Sequence, residues 1–365
     1  LQITYDFQIF AGQRFGGISR YVCAIAELLA RVPGVSPAIV APLHANGHLR
    51  EVDPRLVVGR YVRPMRRTGR LIELVDRTLF EPLARRLRPD IVHETFFSAT
   101  PTYRGRVRRV LTVHDMINEV LPSGPAGTDP IPRRKRLAVA RADHVICCSE
   151  NTRNDVLSLL DVSPDRVSVV YHGHEVLDAR GLLAAQIVGE GPYLLFVGAR
   201  GGYKNFLGFA TAHAGSRFRK DVRIVCFGGG PMSATERAAL SGMGFGEHDV
   251  VHRSGGDDLL AALYTGAAAL VYPSRYEGFG IPIVEAMSLG CPVACSDTSS
   301  MPEVAGNAGA YFDPDDTASI REALESLLDS SERRAGLIAR GWARSAMYTW
   351  NRCATETLAA YRALG

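Results

Sequence analysis

Tyr272-Pro273-Ser274-Arg275-Tyr276-Glu277-Gly278-Phe279-Gly280-Ile281-Pro282-Ile283-Val284-Glu285-Ala286-Met287-Ser288-Leu289-Gly290 is the stretch that decides how this chain folds. Residues 268–272 are apolar and of strand type, and they run into a loop with two glycines. Pro282 then stands where the first helical position is expected, and Gly290 is the C-terminal stop. The reading is strand, glycine loop, helix N-terminus. Gly278 and Gly280 let the backbone come close to a ligand, and the unpaired amides of the first helical turn point outward with the positive end of the helix dipole behind them. Such a turn holds a diphosphate. Glu285, one turn into the helix, is placed to reach a ribose diol, and Glu277, before the turn, to accept hydrogen bonds from sugar hydroxyls. Alone, Glu285 would read equally well as a solvated helix carboxylate, but Val284, Ala286 and Met287 leave this short helix mostly apolar.

A second stretch has the same plan. Leu194-Leu195-Phe196-Val197-Gly198-Ala199-Arg200-Gly201-Gly202-Tyr203-Lys204-Asn205-Phe206 is a strand, a glycine turn and two cations four residues apart. If the turn passes into a helix near Lys204, Arg200 as a fork and Lys204 as a point charge converge on one anion and neutralise a leaving diphosphate. The plainer reading is a surface pair in a flexible loop.

In the front half, Gly16 and Gly17 precede a helix whose apolar positions Ile18, Val22, Ile25, Ala26 and Leu29 recur at helical spacing. Val110-Leu111-Thr112-Val113-His114-Asp115 ends a strand at a C-terminal edge, where parallel sheets place ligands. A lone histidine there is more often structural. Ser149 reads as a cap for a helix over residues 151–160, and Asp313 before Pro314 as a cap for one over 317–328. Asp313-Pro314-Asp315 also has an Asp-x-Asp form that can hold a divalent metal, but the cap is the preferred reading.

The Glu277 to Glu285 spacing, with its interior glycines and proline, resembles the Glu-x7-Glu signature of the retaining GT-B glycosyltransferases of family GT4, which includes bacterial mannosyl- and glucosyltransferases. The resemblance implies that Glu277 touches the donor sugar and Glu285 the ribose, with Gly198, Gly278, Phe279, Gly280 and Ile281 around the nucleotide. It places Arg200 and Lys204 on the diphosphate, although their interval is shorter than in many members. It also brings Gly16 and Gly17 to face the diphosphate and acceptor, and sets His114 against the donor sugar. Residues 5–10 and Gln13-Arg14-Phe15-Gly16-Gly17-Ile18-Ser19-Arg20-Tyr21 look like the mannosyltransferases that build O-antigen and related polysaccharides.

The same resemblance implies a retaining, metal-independent hexosyl transfer with no cofactor beyond the donor. GDP-mannose is the favoured donor, ahead of UDP- and other GDP-sugars, and the acceptor is a glycan or lipid-linked oligosaccharide of a bacterial surface polysaccharide. A sugar-nucleotide epimerase or a phosphorylase on the same architecture, and a non-catalytic sugar-nucleotide-binding module, are the rival readings. A dinucleotide dehydrogenase fits poorly, because neither half opens with Gly-x-Gly-x-x-Gly.

At 365 residues the chain calls for two domains. Strand-like and helix-like segments alternate twice, which is the pattern of helix-covered parallel sheets. Strands are expected over 3–10, 37–42, 90–94, 110–115, 144–149 and 167–171, then over 193–197, 223–227, 250–253, 268–272, 292–296 and 310–312. The fold class is α/β, of GT-B type: two Rossmann-like domains, 1–180 on the acceptor side and 190–347 for the nucleotide sugar, facing a central cleft. A linker is expected over 175–191, and a redirected helix over 350–365 packs back on the first domain.

Residues 1–180 carry 26 Lys/Arg against 19 Asp/Glu, so the net charge of +4 is concentrated at the front. Arg60, Arg63, Arg66, Arg67, Arg70, Arg85, Arg86, Arg88, Arg133, Arg134, Lys135 and Arg136 read either as solvated helix faces or as a surface that meets anionic lipid or a phosphorylated acceptor. No recognition-helix motif or aromatic-rich strand pattern accompanies them, so nucleic acid is not an expected partner. Seven scattered cysteines suit a reducing compartment, and Cys291 and Cys295 lack the second pair a zinc site needs. With no signal-type leader and no apolar run of about 20 residues, the expectation is a cytoplasmic protein, at most peripheral to the membrane.

Overall fold

The computed structural model describes residues 1–63, 68–122 and 128–365. It divides into two compact units, Leu1–Gly173 with Trp350–Gly365, and His174–Thr349. Among the described residues the first unit holds β1 (Gln2–Tyr5), β2 (Ser36–His44), β3 (Val57–Tyr61), β4 (Ile91–Glu94), β5 (Arg108–Val113), β6 (His144–Cys147) and β7 (Val167–Val169). These form a seven-stranded parallel sheet in the order β3-β2-β1-β4-β5-β6-β7. The second unit holds β8 (Tyr193–Val197), β9 (Arg223–Phe227), β10 (Val250–Arg253), β11 (Ala269–Tyr272), β12 (Val293–Ser296) and β13 (Gly309–Phe312), a six-stranded parallel sheet in the order β10-β9-β8-β11-β12-β13.

Parallel pairing requires a crossover between strands, and helices supply it and cover both faces. Every residue of β4, β8, β11 and β12 is accordingly buried. The order reverses direction between β1 and β4 in one sheet and between β8 and β11 in the other. The strand C-termini at such reversals are where open α/β sheets bind ligands.

The core of the first unit gathers Tyr5, Ile25, Ile39, Phe80 and Ile146 with Cys353, Ala354, Leu358 and Tyr361 of the terminal helix Trp350–Arg362. The second core is built on Leu194, Phe196, Phe206, Ile224, Val271, Ala294, Leu324 and Leu337.

Several local expectations need correction. The strand expected over 3–10 stops at Tyr5, and Gln8–Gly12 is a helix. The cause is Asp6, whose buried carboxylate accepts from the Gln8 amide (3.3 Å), the Gln8 side chain (2.7 Å) and Thr95 (2.7 Å), ending the strand register. β3 has no counterpart among the expected strands. The 317–328 helix is Thr317–Asp329, and its cap is Asp316, not Asp313: Asp316 accepts from the Ala318 amide at 2.8 Å, while Asp313 accepts from the Asp315 amide in a turn just before. Pro282 is the second residue of its helix, Ile281–Ser288. Ser149 does cap, accepting from the Thr152 amide at 3.0 Å, with the helix beginning at Glu150.

Lys135 leaves the basic surface altogether. It is fully buried, bonded to Glu119 (2.7 Å) and to the Asp115 carbonyl (2.9 Å). Arg66 and Arg67 lie outside the described residues, as does the Arg70 side chain. No helix among the described residues is long and apolar enough to cross a membrane.

Candidate functional site

In the second unit, three loops leave the sheet side by side at the C-termini of β8, β11 and β12. The first begins at Gly198, whose φ of 116° suits glycine, and reaches Lys204 at the end of a short 3-10 turn. Asn205 follows in the left-handed region (φ 54°) and donates to the Pro314 carbonyl at 2.7 Å, which fixes where the helix Phe206–Ala214 starts. The loop after β11 is tied to the first: the Arg275 amide donates to the Tyr203 carbonyl at 2.8 Å.

Lys204 and Glu277 meet across this junction. The ammonium donates to Glu277 Oε1 at 2.6 Å and to the Tyr272 hydroxyl at 3.2 Å. Glu277 is held from behind by the loop after β12. Its amide donates to Ser299 Oγ (3.2 Å), and its carbonyl accepts from Ser299 (2.7 Å) and Ser300 (2.8 Å). Ser300 also donates to the Phe279 carbonyl at 3.0 Å. Glycine is required at Gly280, where φ is 101°, and the helix Ile281–Ser288 starts beside it. Phe279 is buried edge-on against Tyr348, with ring centroids 5.4 Å apart.

Glu285 lies in that helix, 6% exposed, and accepts from the Tyr264 hydroxyl at 3.1 Å. Burial and this carboxylate push the Tyr264 phenol well above its usual value, so the hydroxyl stays a donor.

Arg200 is placed elsewhere than expected. Its guanidinium donates to the carbonyls of Gly228 (3.1 Å), Gly230 (2.9 Å) and Pro231 (3.2 Å) and to Glu236 (2.8 Å). Partial burial raises the Glu236 carboxyl, but the bonds from Arg200 and Ser233 outweigh it and bring the group down to about 2. Arg200 and Lys204 therefore share no partner in this structure; Arg200 clamps the loop that follows β9.

In the first unit, Gly16 caps the helix Gly17–Leu29, which Gly17 begins, and Ser19 donates back to the Gly16 carbonyl at 3.0 Å. The helix buries Tyr21, whose hydroxyl meets Thr112 Oγ1 at 3.2 Å. His114, just past β5, is half-buried. Its Nδ1 is 3.0 Å from His172 Nε2. Burial first, then the neighbouring His172, His93 and Lys135, hold its pKa well below the usual histidine value.

The β1/β4 reversal of this unit opens into a cavity of about 1100 Å³, lined among others by Gln8, Phe96, Thr102, Arg104 and Arg134. Its floor is fixed by Asp6, which accepts from Thr102 at 3.0 Å, and its outer loop by Arg141, which pairs with buried Glu94 and donates to the Ser98 carbonyl at 2.8 Å.

Glu236, Tyr264, His172, Ser299 and Ser300 escaped the sequence reading. For Ser300 a signal existed, since Ser299-Ser300-Met301-Pro302 after a strand is a helix start. Among the described residues no cluster of three or more His, Cys, Asp or Glu is arranged to hold a metal ion.

A family model described as Glycosyl transferases group 1 matches residues 184–343, and one described as Glycosyltransferase Family 4 matches residues 15–176. O-antigen chain mannosyltransferase B of Escherichia coli is 49% identical over 109 residues, 30% of this chain and 28% of that protein. O-antigen chain mannosyltransferase RfbU of Salmonella typhimurium is 26% identical over 336 residues, 90% of this chain and 93% of its own length. Among solved structures, sucrose-phosphate synthase from Thermosynechococcus elongatus superimposes with a TM-score of 0.76 at 18% identity, covering 100% of this chain and 98% of that one.

Proposed function

The chain belongs to the group 1, family 4 glycosyltransferases, retaining hexosyltransferases of GT-B fold, and from that premise we propose that it moves mannose from GDP-mannose to a hydroxyl of a glycan or lipid-linked oligosaccharide in bacterial surface polysaccharide synthesis. The observation that carries the reading is the Lys204–Glu277 contact at the β8/β11 reversal, next to the start of the Ile281–Ser288 helix. In this contact the two charges satisfy each other. A nucleoside diphosphate sugar offers the ammonium a better partner, and Glu277 is released to accept hydrogen bonds from the sugar.

As the diphosphate leaves, Lys204 and the amides at the helix start stabilise the charge that develops on it. This cation and the helix dipole supply the positive charge, so the proposed chemistry routes no step through a metal. Glu285, oriented by Tyr264, takes the ribose hydroxyls. The acceptor hydroxyl attacks from the face the diphosphate leaves, its oxygen bonding the anomeric carbon while a phosphate oxygen takes its proton. Retention results from that geometry. His114 contacts the donor sugar, and Gly16 and Gly17 face the diphosphate and acceptor. In this scheme Arg200 acts on the donor through the loop it clamps.

Mannose is supported by the likeness to the O-antigen mannosyltransferases of Escherichia coli and Salmonella typhimurium. The cavity at the β1/β4 reversal, with Arg104 and Arg134 on its wall, suits the acceptor. The helix Thr68–Leu87 exposes Leu71, Leu74 and Leu79 beside Arg77, Arg85 and Arg86, a composition that suits peripheral contact with an anionic membrane on the cytoplasmic side.

The test is a thermal-shift panel of sugar nucleotides followed by product analysis. GDP-mannose should raise the melting temperature most, and transfer should give an α-linked product from an α-linked donor. A panel without any shift, or release of an altered sugar nucleotide in the absence of acceptor, would overturn the reading.

A further inference from the structure

His114 presents its two ring nitrogens to different surroundings. Nδ1 lies 3.0 Å from His172 Nε2. Among the described residues nothing bonds Nε2, and the residue is half-buried, so this nitrogen is the one left for a ligand. The pair is packed as well as bonded. The Tyr21 ring stands against both imidazoles, with centroids 5.1 Å from His114 at 80° and 4.8 Å from His172 at 53°. Tyr21 is itself held through its hydroxyl on Thr112, and the Trp350 ring packs beside both, 6.3 Å from His172 and 6.2 Å from Tyr21.

We propose that His172 is a positioning residue for transfer: by holding Nδ1 of His114 it fixes that ring in one neutral tautomer and one orientation, so that Nε2 meets the donor sugar with a set hydrogen-bonding role. A hydrogen bond between two neutral imidazoles needs one nitrogen with a proton and one without. The state of His172 Nε2 thus dictates the state of His114 Nδ1, and through it the state of His114 Nε2. The surroundings of the pair reinforce neutrality. Burial disfavours a second proton on His114, the Lys135 ammonium adds to this, neighbouring His93 is itself kept neutral by burial, and burial holds His172 at about 4.

The inference rests on the proposed role of His114 at the donor sugar, but its first test needs no substrate. Long-range imidazole ¹H–¹⁵N correlation spectra of the labelled full chain, with His114 identified by its loss in His114→Gln, should show His114 as one neutral tautomer at pH 7. In His172→Phe the His114 pattern should collapse to an average of the two tautomers. A His114 pattern unchanged in His172→Phe, or averaged already in the wild type, overturns the proposal.

Turnover provides the second test, with the donor that gives the largest thermal shift. His172→Phe should lower kcat about 10- to 100-fold, the loss expected when a functional imidazole loses the group that orients it, with less than a twofold change in donor KM. His172→Gln, which keeps a hydrogen-bonding side chain near Nδ1, should recover most of kcat. Equal losses in His172→Phe and His172→Gln, or a kcat that tracks the melting temperature across the set, would mean that His172 only packs. If no sugar nucleotide is turned over by the wild type, the transferase reading fails, while the spectra still decide the pairing.

Discussion

Lys204 and Glu277 are mostly withdrawn from water, with side chains 16% and 12% exposed, and each is tolerated there because the other is 2.6 Å away. Removing one partner of such a pair strands the other, whereas replacing both leaves little unsatisfied. Lys204→Met should therefore cost the second unit about 1–3 kcal/mol, and Lys204→Met with Glu277→Gln should recover most of that. Activity will not follow stability: both variants should lose roughly 10²- to 10³-fold in kcat, as when a charge-stabilising group is removed. A double variant that turns over near the wild-type rate would show that the pair is merely structural. Arg200 makes the opposite case. Its guanidinium is 2% exposed and bonds three carbonyls and Glu236, so Arg200→Ala should destabilise the second unit by about 3–5 kcal/mol. Thermal unfolding alongside steady-state kinetics separates the two residues.

What Arg200 holds is the turn Gly228-Gly229-Gly230, in which every φ is positive (82°, 70° and 72°). The three positions differ in what surrounds them. A Cβ on Gly229 would stand 2.7 Å from the Gly198 carbonyl oxygen and 3.0 Å from Ala199 Cα, whereas one on Gly230 meets nothing within 4 Å. Gly230→Ala should cost only the backbone penalty, about 1 kcal/mol. Gly229→Ala should cost about 2–4 kcal/mol and weaken donor binding, because the backbone it displaces leads straight into the Arg200 loop. Equal melting temperatures for the two variants would refute this. The contrast also shows what the sequence made legible. Glycine loops, helix starts and apolar strands are local patterns, so the Glu277 to Gly290 segment and most strands were readable within a few residues. β3 was not. It is an edge strand whose Val57-Val58-Gly59-Arg60-Tyr61 is largely exposed, and its Gly59 is explained only by the Ala41 carbonyl pressing against it. Nor could spacing reveal that Arg200 would turn to Glu236, 36 residues on, rather than to Lys204, or that His114 would find His172, 58 residues away. Those partnerships are made by strand order, which sequence periodicity does not encode.

At the scale of the whole molecule, the buried histidines of the first unit set its response to acid. Burial holds His93 at about 3 and His172 at about 4. Below the ordinary histidine value of about 6.5, the unfolded chain takes up protons that these folded rings refuse, so their contribution to stability falls as pH drops from 6.5 towards the folded values. Asp76 and Glu94, raised to about 7 by burial, act in the reverse sense over the same range. The His93 share can be isolated: between pH 6.5 and 5, His93→Gln should lose about 2 kcal/mol less than the wild type in denaturant unfolding, and parallel curves would contradict the assignment. His93 also bonds the Tyr361 hydroxyl at 2.5 Å, with Tyr5 at 3.1 Å from the same oxygen. The core of the first unit is thus closed by the helix Trp350–Arg362, after the chain has left it at Gly173 and built all of the second unit. Seen from the ribosome, this is an order of events. Residues 174–349 have every strand of their own sheet before the helix Trp350–Arg362 is translated, while the first 173 wait with an apolar face open. The first unit can be sealed only once the second has been synthesised, so a chain cut at Thr349 would expose that face to chaperones and proteases, and survival of the first unit becomes conditional on translation through the second.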